Sequence, residues 1–305
     1  MSATTIPVLP PPFPYHGGKR AIAATLWERF GDVPNFVEPF FGSGAVLFGR
    51  PHAPHTETVN DANALLCNFW RAVQHDPKAV ACYADSPCNE TDLHARHRWL
   101  IGTGADRVAR LVDDPDAYDA QAAGWWVWGA CLWIGTGWCV TEVRKLPHLG
   151  DAGMGVHRPG QGIAEYLTAI ATRLRGVRVA CGDWTRVMGE SVTVRHGMTA
   201  IFLDPPYVAD ERAAVYAHES DVAQDVAAWA AANGDNPLLR LALCGYEGNY
   251  AMPETWTCVP WKARGGYGSQ GTGRGRANAA REVLWFSPHC LQPASTQLAL
   301  QGVSA

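Results

Sequence analysis

The chain has nine cysteines but no Cys-x-x-Cys pair, so a zinc site built on paired cysteines is not expected. The thiols (Cys67, Cys82, Cys88, Cys131, Cys139, Cys181, Cys244, Cys258 and Cys290) are scattered and odd in number. With no export signal, that pattern points to reduced cysteines in a cytoplasm, most of them small core residues. No stretch approaches the roughly 20 uninterrupted apolar residues of a membrane helix. The opening MSATTIPVLPPPFPYHGGKR lacks a basic segment followed by an apolar core, which excludes a secretory leader. Internal repeats are absent. Positive charge is not in excess either, the formal net charge being −4, although the local distribution matters more than the sum. The sequence leaves the oligomeric state open, and a monomer suits the chain.

What is present fits a soluble globular protein: 305 residues, 47% hydrophobic and 18% charged, enough to bury a substantial core. Charge is uneven. Lys262, Arg264, Arg274, Arg276 and Arg281 lie in a stretch with no acid, whereas Asp210, Glu211, Glu219, Asp221 and Asp225 cluster elsewhere. The segment 19–30 has apolar residues at helical spacing. A short strand at Phe36–Glu38 and another near Thr56–Val59 each lead through a turn into a helix. Asp76-Pro77 ends one helix or begins another. From about Ser86 to Gly176 the alternation fades into helices, loops and a Trp-rich run, in which core packing is the better reading for Trp125, Trp126, Trp128, Trp133 and Trp138. His94, His97, His148 and His157 have no metal-like partners and read as surface residues. Alternation resumes with the strands VRVAC, TAIFL, LLRLALCGY and REVLWFS. Strands alternating with helices predict a mostly parallel sheet.

Three features carry chemistry. In FLDPPY a run of β-formers stops at Asp204, Pro205, Pro206 and Tyr207. Proline has no N–H and a fixed φ, so the strand ends abruptly in a stiff segment. In EPFFGSGAVLF, Gly42 and Gly44 sit between a strand and a helix, as in nucleotide-binding turns, where a ligand approaches the backbone. No third glycine completes the dinucleotide pattern, and no lysine completes a phosphate loop. Finally, Glu38, Asp61 and Asp183 each stand at a strand end, the place where α/β folds grip ribose hydroxyls. Asp61 is also a candidate N-cap for the helix after it. The three acids together favour an adenosine-bearing cofactor without a special demand for phosphates.

The segments YHGGKR, FVEPFFGSGAVLF, NDAN, CGDW and FLDPPY, in this order, resemble the Dam-like adenine-specific DNA methyltransferases. The resemblance covers roughly residues 13–290 and is weakest at 86–176. It implies a Rossmann-like α/β methyltransferase sheet with an inserted, mainly helical target-recognition subdomain. The catalytic part would be residues 1–85 and 177–290, the insertion 86–176, and the tail 291–305. It implies S-adenosylmethionine as cofactor and double-stranded DNA as partner, with a base flipped out of the stack, and neither a metal nor a membrane. Tyr15 and Lys19 would border the cofactor, and Glu38, Pro39 and Trp184 would line its pocket. Phe40, Phe41, Gly42 and Gly44 would form the methionine side, while Asp61 would bind ribose and Asp183 the adenine amine. The family often has Trp where Tyr15 stands, and a small residue where His16 stands.

The chemistry agrees with that implication. The exocyclic amine of adenine is a poor nucleophile because its lone pair is delocalised into the ring. Two rigid acceptors on its hydrogens, the Asp204 carboxylate and the Pro205 carbonyl, would aim the lone pair at a methyl donor. Tyr207 would stack on the flipped base. Lys262, Arg264, Arg274 and Arg276 would contact phosphates, more weakly as salt rises. The same acceptors permit methylation of the exocyclic amine of cytosine. A dinucleotide-dependent oxidoreductase is the rival from another class.

Overall fold

A computed structural model of the chain describes residues 9–15, 19–114, 116–133, 137–140, 145–148, 155–157, 162–206, 217–261 and 282–293. After a 3-10 turn at Lys19–Ala21 come α1 (Ala23–Phe30), β1 (Asn35–Glu38), the short α2 (Ala45–Phe48) and β2 (Thr56–Asp61). Helices α3 (Ala64–His75) and α4 (Pro77–Ala84) come next, and Asp76-Pro77 begins α4. The Asp76 side chain accepts from the Ala79 N–H at 3.0 Å, and Pro77 takes the first helical position, where its missing N–H costs nothing. The middle of the chain forms α5 (Glu90–Trp99), α6 (Ala105–Ala109), α7 (Ala120–Leu132) and α8 (Ile163–Leu174). Then come β3 (Val177–Cys181), β4 (Thr199–Leu203), α9 (Ala217–Asn233), β5 (Leu239–Tyr246), β6 (Thr257–Pro260) and β7 (Glu282–Phe286).

The strands make one seven-stranded sheet in the order β3-β2-β1-β4-β5-β7-β6. The first five are parallel, and β7 runs antiparallel to both β5 and β6. This is the mainly parallel α/β sheet the sequence predicts. β6 is the strand its pattern does not reveal: four residues at a sheet edge are too few to display a period of two.

Both faces of the sheet are covered, as the central strands require. Phe36, Phe202, Ala242, Leu284 and Phe286 point into one hydrophobic cluster with Leu26 and Trp27 of α1, Phe69 and Trp70 of α3, and Leu167 of α8. Their neighbours Val37, Ile201, Leu203, Leu243 and Trp285 point into the other, with Val226 and Ala230 of α9. That alternation is the pleat of a strand read at period two.

The helices of the middle stretch join the first cluster. Trp126 and Val127 of α7 and Ile170 of α8 are buried in it with Val80 of α4. Trp128 and Trp133 are buried as well, in agreement with core packing for the Trp-rich run. His97 corrects the surface reading given to it, being only 2% exposed. Its ring lies 4.6 Å from that of Trp133 and 5.1 Å from that of Trp138, and it accepts from the Cys139 N–H at 3.2 Å. The polar composition of α5 hides that face. The cysteines also differ from expectation. Cys67, Cys131, Cys244 and Cys290 are buried, while Cys82, Cys88, Cys181 and Cys258 are exposed.

One ion network ties this stretch to the sheet. Glu57 of β2, 1% exposed, accepts from Arg173 of α8 at 2.6 and 2.8 Å and from Arg50 at 3.1 Å. Removing one member of a buried network leaves uncompensated charge, a loss of about 3–5 kcal/mol. Glu57→Ala is therefore expected to destabilise the protein by about that much in urea unfolding monitored by circular dichroism. A change below about 1 kcal/mol would contradict this reading of the network.

Candidate active site

The strand order reverses between β1 and β4, on either side of which β2 and β5 lie. In open α/β sheets, the crevice at the carboxyl ends beside such a reversal is where ligands bind. Glu38 ends β1, Asp61 ends β2, Asp183 comes just after β3 and Asp204 just after β4, so the predicted acids share one edge. β7 runs the opposite way, so its first residue, Glu282, arrives at this same edge.

The glycine turn is held from below by β2. Asp61 Oδ2 accepts from the Gly42 N–H at 3.0 Å, and Asp61 Oδ1 from the Asn63 N–H at 2.9 Å. Burial pushes the Asp61 carboxyl above its ordinary range, and these N–H groups pull it back. Asn63, not Asp61, caps α3, accepting from the N–H groups of Leu65 and Leu66 at 3.0 and 3.2 Å. Asp61 is thereby released from capping and spans two turns. Gly42 has φ +48°, and a Cβ there would lie 2.5 Å from the Tyr15 ring, so only glycine lets this ring close over the turn. Gly44, at φ +71°, serves packing instead, because its Cβ would strike the Phe48 and Phe41 rings. Phe41 is 3% exposed and packs on Trp70. Phe40 is only partly buried and stacks at 6.5 Å on the buried Trp184.

Asn60, which sequence reasoning did not single out, staples three strand ends. It is 1% exposed, and its amide donates to the carbonyls of Pro39 and Gly182, each at 3.0 Å. The visible signal is a polar residue inside a run of strand formers. Asp183 is exposed and accepts from the Thr185 N–H at 3.0 Å and from the Thr185 hydroxyl. Cys181 is an exposed thiol the sequence did not mark, its pKa lowered by the neighbouring Cys67 and by Arg186.

Asp204 is the centre of the edge. Its side chain is 17% exposed, and Lys19 Nζ, on a side chain 8% exposed, lies 3.1 Å from its Oδ1. Burial raises the Asp204 carboxyl, and the Lys19 ammonium and the Cys244 thiol hydrogen bond oppose that rise. Lys19 is thus a buried counter-ion, and its ammonium also lies 5.5 Å from the centre of the Trp261 ring. Tyr15 keeps part of its ring in solvent, yet burial and the Asp61 and Asp204 carboxylates push its hydroxyl pKa up. Glu38 is 2% exposed; burial first, and then Asp204, hold its carboxyl well above the usual range. Pro205 is buried and Pro206 exposed. Tyr207, Lys262, Arg264, Arg274 and Arg276 lie outside the described residues.

Chemically, this edge offers a braced glycine turn and carboxyl groups on one side. On the other it has a partly buried acid whose counter-ion comes from near the start of the chain. Residues 15–95 match the family described as D12 class N6 adenine-specific DNA methyltransferase. The match runs from Tyr15 through the glycine turn and Asp61 into α5, while Asp183, Asp204 and Glu282 lie beyond it. No curated protein matches the chain significantly.

Asn60 supplies a stability test of the edge. Losing its amide leaves two strand-end carbonyls without their donor, so Asn60→Ala is expected to cost about 1–3 kcal/mol in chemical unfolding. An unchanged midpoint would mean that the three strand ends are held by other means.

Proposed function

We infer that this chain is a D12-class N6 adenine-specific DNA methyltransferase, so its substrates are DNA and a methyl donor. The donor we propose is S-adenosylmethionine, held at the carboxyl edge of the sheet. Asp61 would take the ribose, Asp183 the adenine amine, and the turn from Pro39 to Gly44 the methionine end, with Tyr15 and Trp184 at the borders. The donor set fits. Glu38 buries one carboxylate oxygen, Oε2, that has no hydrogen-bond partner among the described residues, and the donor's ammonium is the group that would satisfy it. Bound there, the donor supplies an electrophilic methyl on a sulfonium.

The remaining work belongs to the chain. We assign Asp204 and the Pro205 carbonyl as acceptors for the two hydrogens of an adenine amine extruded from the duplex. With both hydrogens held, the nitrogen lone pair stands out of the ring plane and faces the methyl. After transfer the amine carries a surplus proton, and the carboxylate to which it is already bonded takes that proton up. Tyr207 would supply the stacking face, and Lys262, Arg264, Arg274 and Arg276 the phosphate contacts. Support for those five is their residue type and order in the sequence. Target recognition by residues 86–176 is a division of labour, since α7 and α8 share a hydrophobic cluster with the sheet. The observation that carries the reading is the partly buried Asp204 side chain with Lys19 at 3.1 Å, beside the strand reversal. Transfer to adenine is preferred over the exocyclic amine of cytosine because the family match is to adenine-specific enzymes.

Unmethylated duplex DNA incubated with labelled S-adenosylmethionine, then digested to nucleosides, is expected to yield N6-methyldeoxyadenosine. Asp204→Ala should lower that yield per unit time by about 10³-fold or more, the scale of removing a preorganised polar group. Donor affinity should stay near that of the wild type. Label in N4-methyldeoxycytidine, or an undiminished rate in the variant, would overturn the assignment.

A further inference from the structure

We propose that Glu282 is a positioning residue for methyl transfer: as a second carboxylate facing Lys19, it keeps the ammonium shared between two anions and leaves Asp204 free to accept from the base. The proposal rests on the methyltransferase reading and deepens it.

The backbone fixes Glu282 from two sides. It is the first residue of β7, opposite Tyr246 of β5, and its carbonyl accepts from the Trp261 N–H at 3.0 Å. Its side chain is 7% exposed, and Oε2 has no hydrogen-bond partner among the described residues. A buried carboxylate oxygen left unmet is costly, and a cation close by offsets that cost. The groups that act on the Glu282 carboxyl are Lys19, from the 3-10 turn, and Asp204, from the end of β4. From β5 comes Cys244, whose thiol responds to both Asp204 and Glu282. From the segment after β5 comes Tyr250, which responds to Asp204. β1 contributes Glu38, again beside Asp204. On the β6 side the neighbour is the Trp261 ring, over which the Lys19 ammonium sits.

The chemistry gives this arrangement a purpose. Methyl transfer moves positive charge from the donor sulfur to the amine nitrogen, so negative potential at the acceptor lowers the barrier. Lys19 paired with Asp204 alone cancels much of that potential. A second anion beside Lys19 restores it. Burial and Asp204 raise the Glu282 carboxyl, Lys19 opposes them, and the outcome is a pKa of about 7. Below that pH Glu282 is protonated and the full Lys19 charge falls on Asp204; above it Glu282 is an anion and Lys19 is shared. Activity is therefore expected to rise with pH through this window.

The test is the pH dependence of kcat from pH 6 to 9 for the wild type, Glu282→Gln and Glu282→Asp, with donor affinity and circular dichroism measured in parallel. The wild type is expected to rise about tenfold through a midpoint near 7. Glu282→Gln should stay at the low plateau with no step, its donor affinity and spectrum unchanged. Glu282→Asp should retain a step with a lower plateau. A Gln variant that keeps the wild-type profile, or a wild type with no step in this window, overturns the proposal. Should the Gln variant fail to fold, the wild-type profile and the Asp variant still decide. A wild type that makes no N6-methyladenine at any pH would instead remove the reading beneath the proposal.

Discussion

A 3.1 Å ion pair between Lys19 and Asp204 is what lets a carboxylate live at the floor of this crevice. An isolated buried carboxyl takes up a proton, because low polarity penalises its anion. Protonated, Asp204 would donate where the proposed reaction needs an acceptor. The cation opposes that preference, and it reaches Asp204 from a turn near the start of the chain. The pair therefore joins two segments far apart in sequence, the one before α1 and the end of β4. The glycine turn, Tyr15 and the Asp61 brace are arranged around it.

The sheet explains why so many acids meet at one edge. Parallel strands deliver their carboxyl ends together, and the reversed β7 adds the beginning of a strand to the ends of the others. Polar groups with no partner among the described residues gather at the same edge: Glu38 Oε2, Glu282 Oε2, the Tyr250 hydroxyl and the Trp261 indole N–H. Away from this edge, Glu57 is paired with Arg50 and Arg173, although Arg29, Arg50, Arg96 and Arg240 each also bury a nitrogen with no hydrogen-bond partner among the described residues.

Much of this is legible in the sequence, for stated reasons. β1, β4 and β5 are apolar runs bounded by turn signals, and FLDPPY ends its strand where two prolines require. Gly42 and Asp61 are readable because a glycine turn and an acid at a strand end are local features. Long-range pairing is not readable. Lys19 is assigned by the resemblance to the cofactor's border, and nothing local reveals that it is 8% exposed beside Asp204. Glu282 is a single acid ahead of an apolar strand, and its meaning depends on β7 running backwards. Sequence alone misplaces the cap of α3 by two residues because Asp61 and Asn63 have equal capping chemistry, and only the bond from Gly42 separates them. His97 reads as exposed because the aromatic rings beside it, Trp133 and Trp138, come from residues that follow α7.

The most direct measurement is a structure of the protein with duplex DNA and an unreactive analogue of the methyl donor. The account predicts an extruded adenine whose exocyclic nitrogen is within hydrogen-bond distance of Asp204, with Lys19 still on that carboxylate and the donor's methyl position facing the nitrogen. A base docked elsewhere on the sheet edge, with Asp204 bound to Lys19 alone, would contradict it.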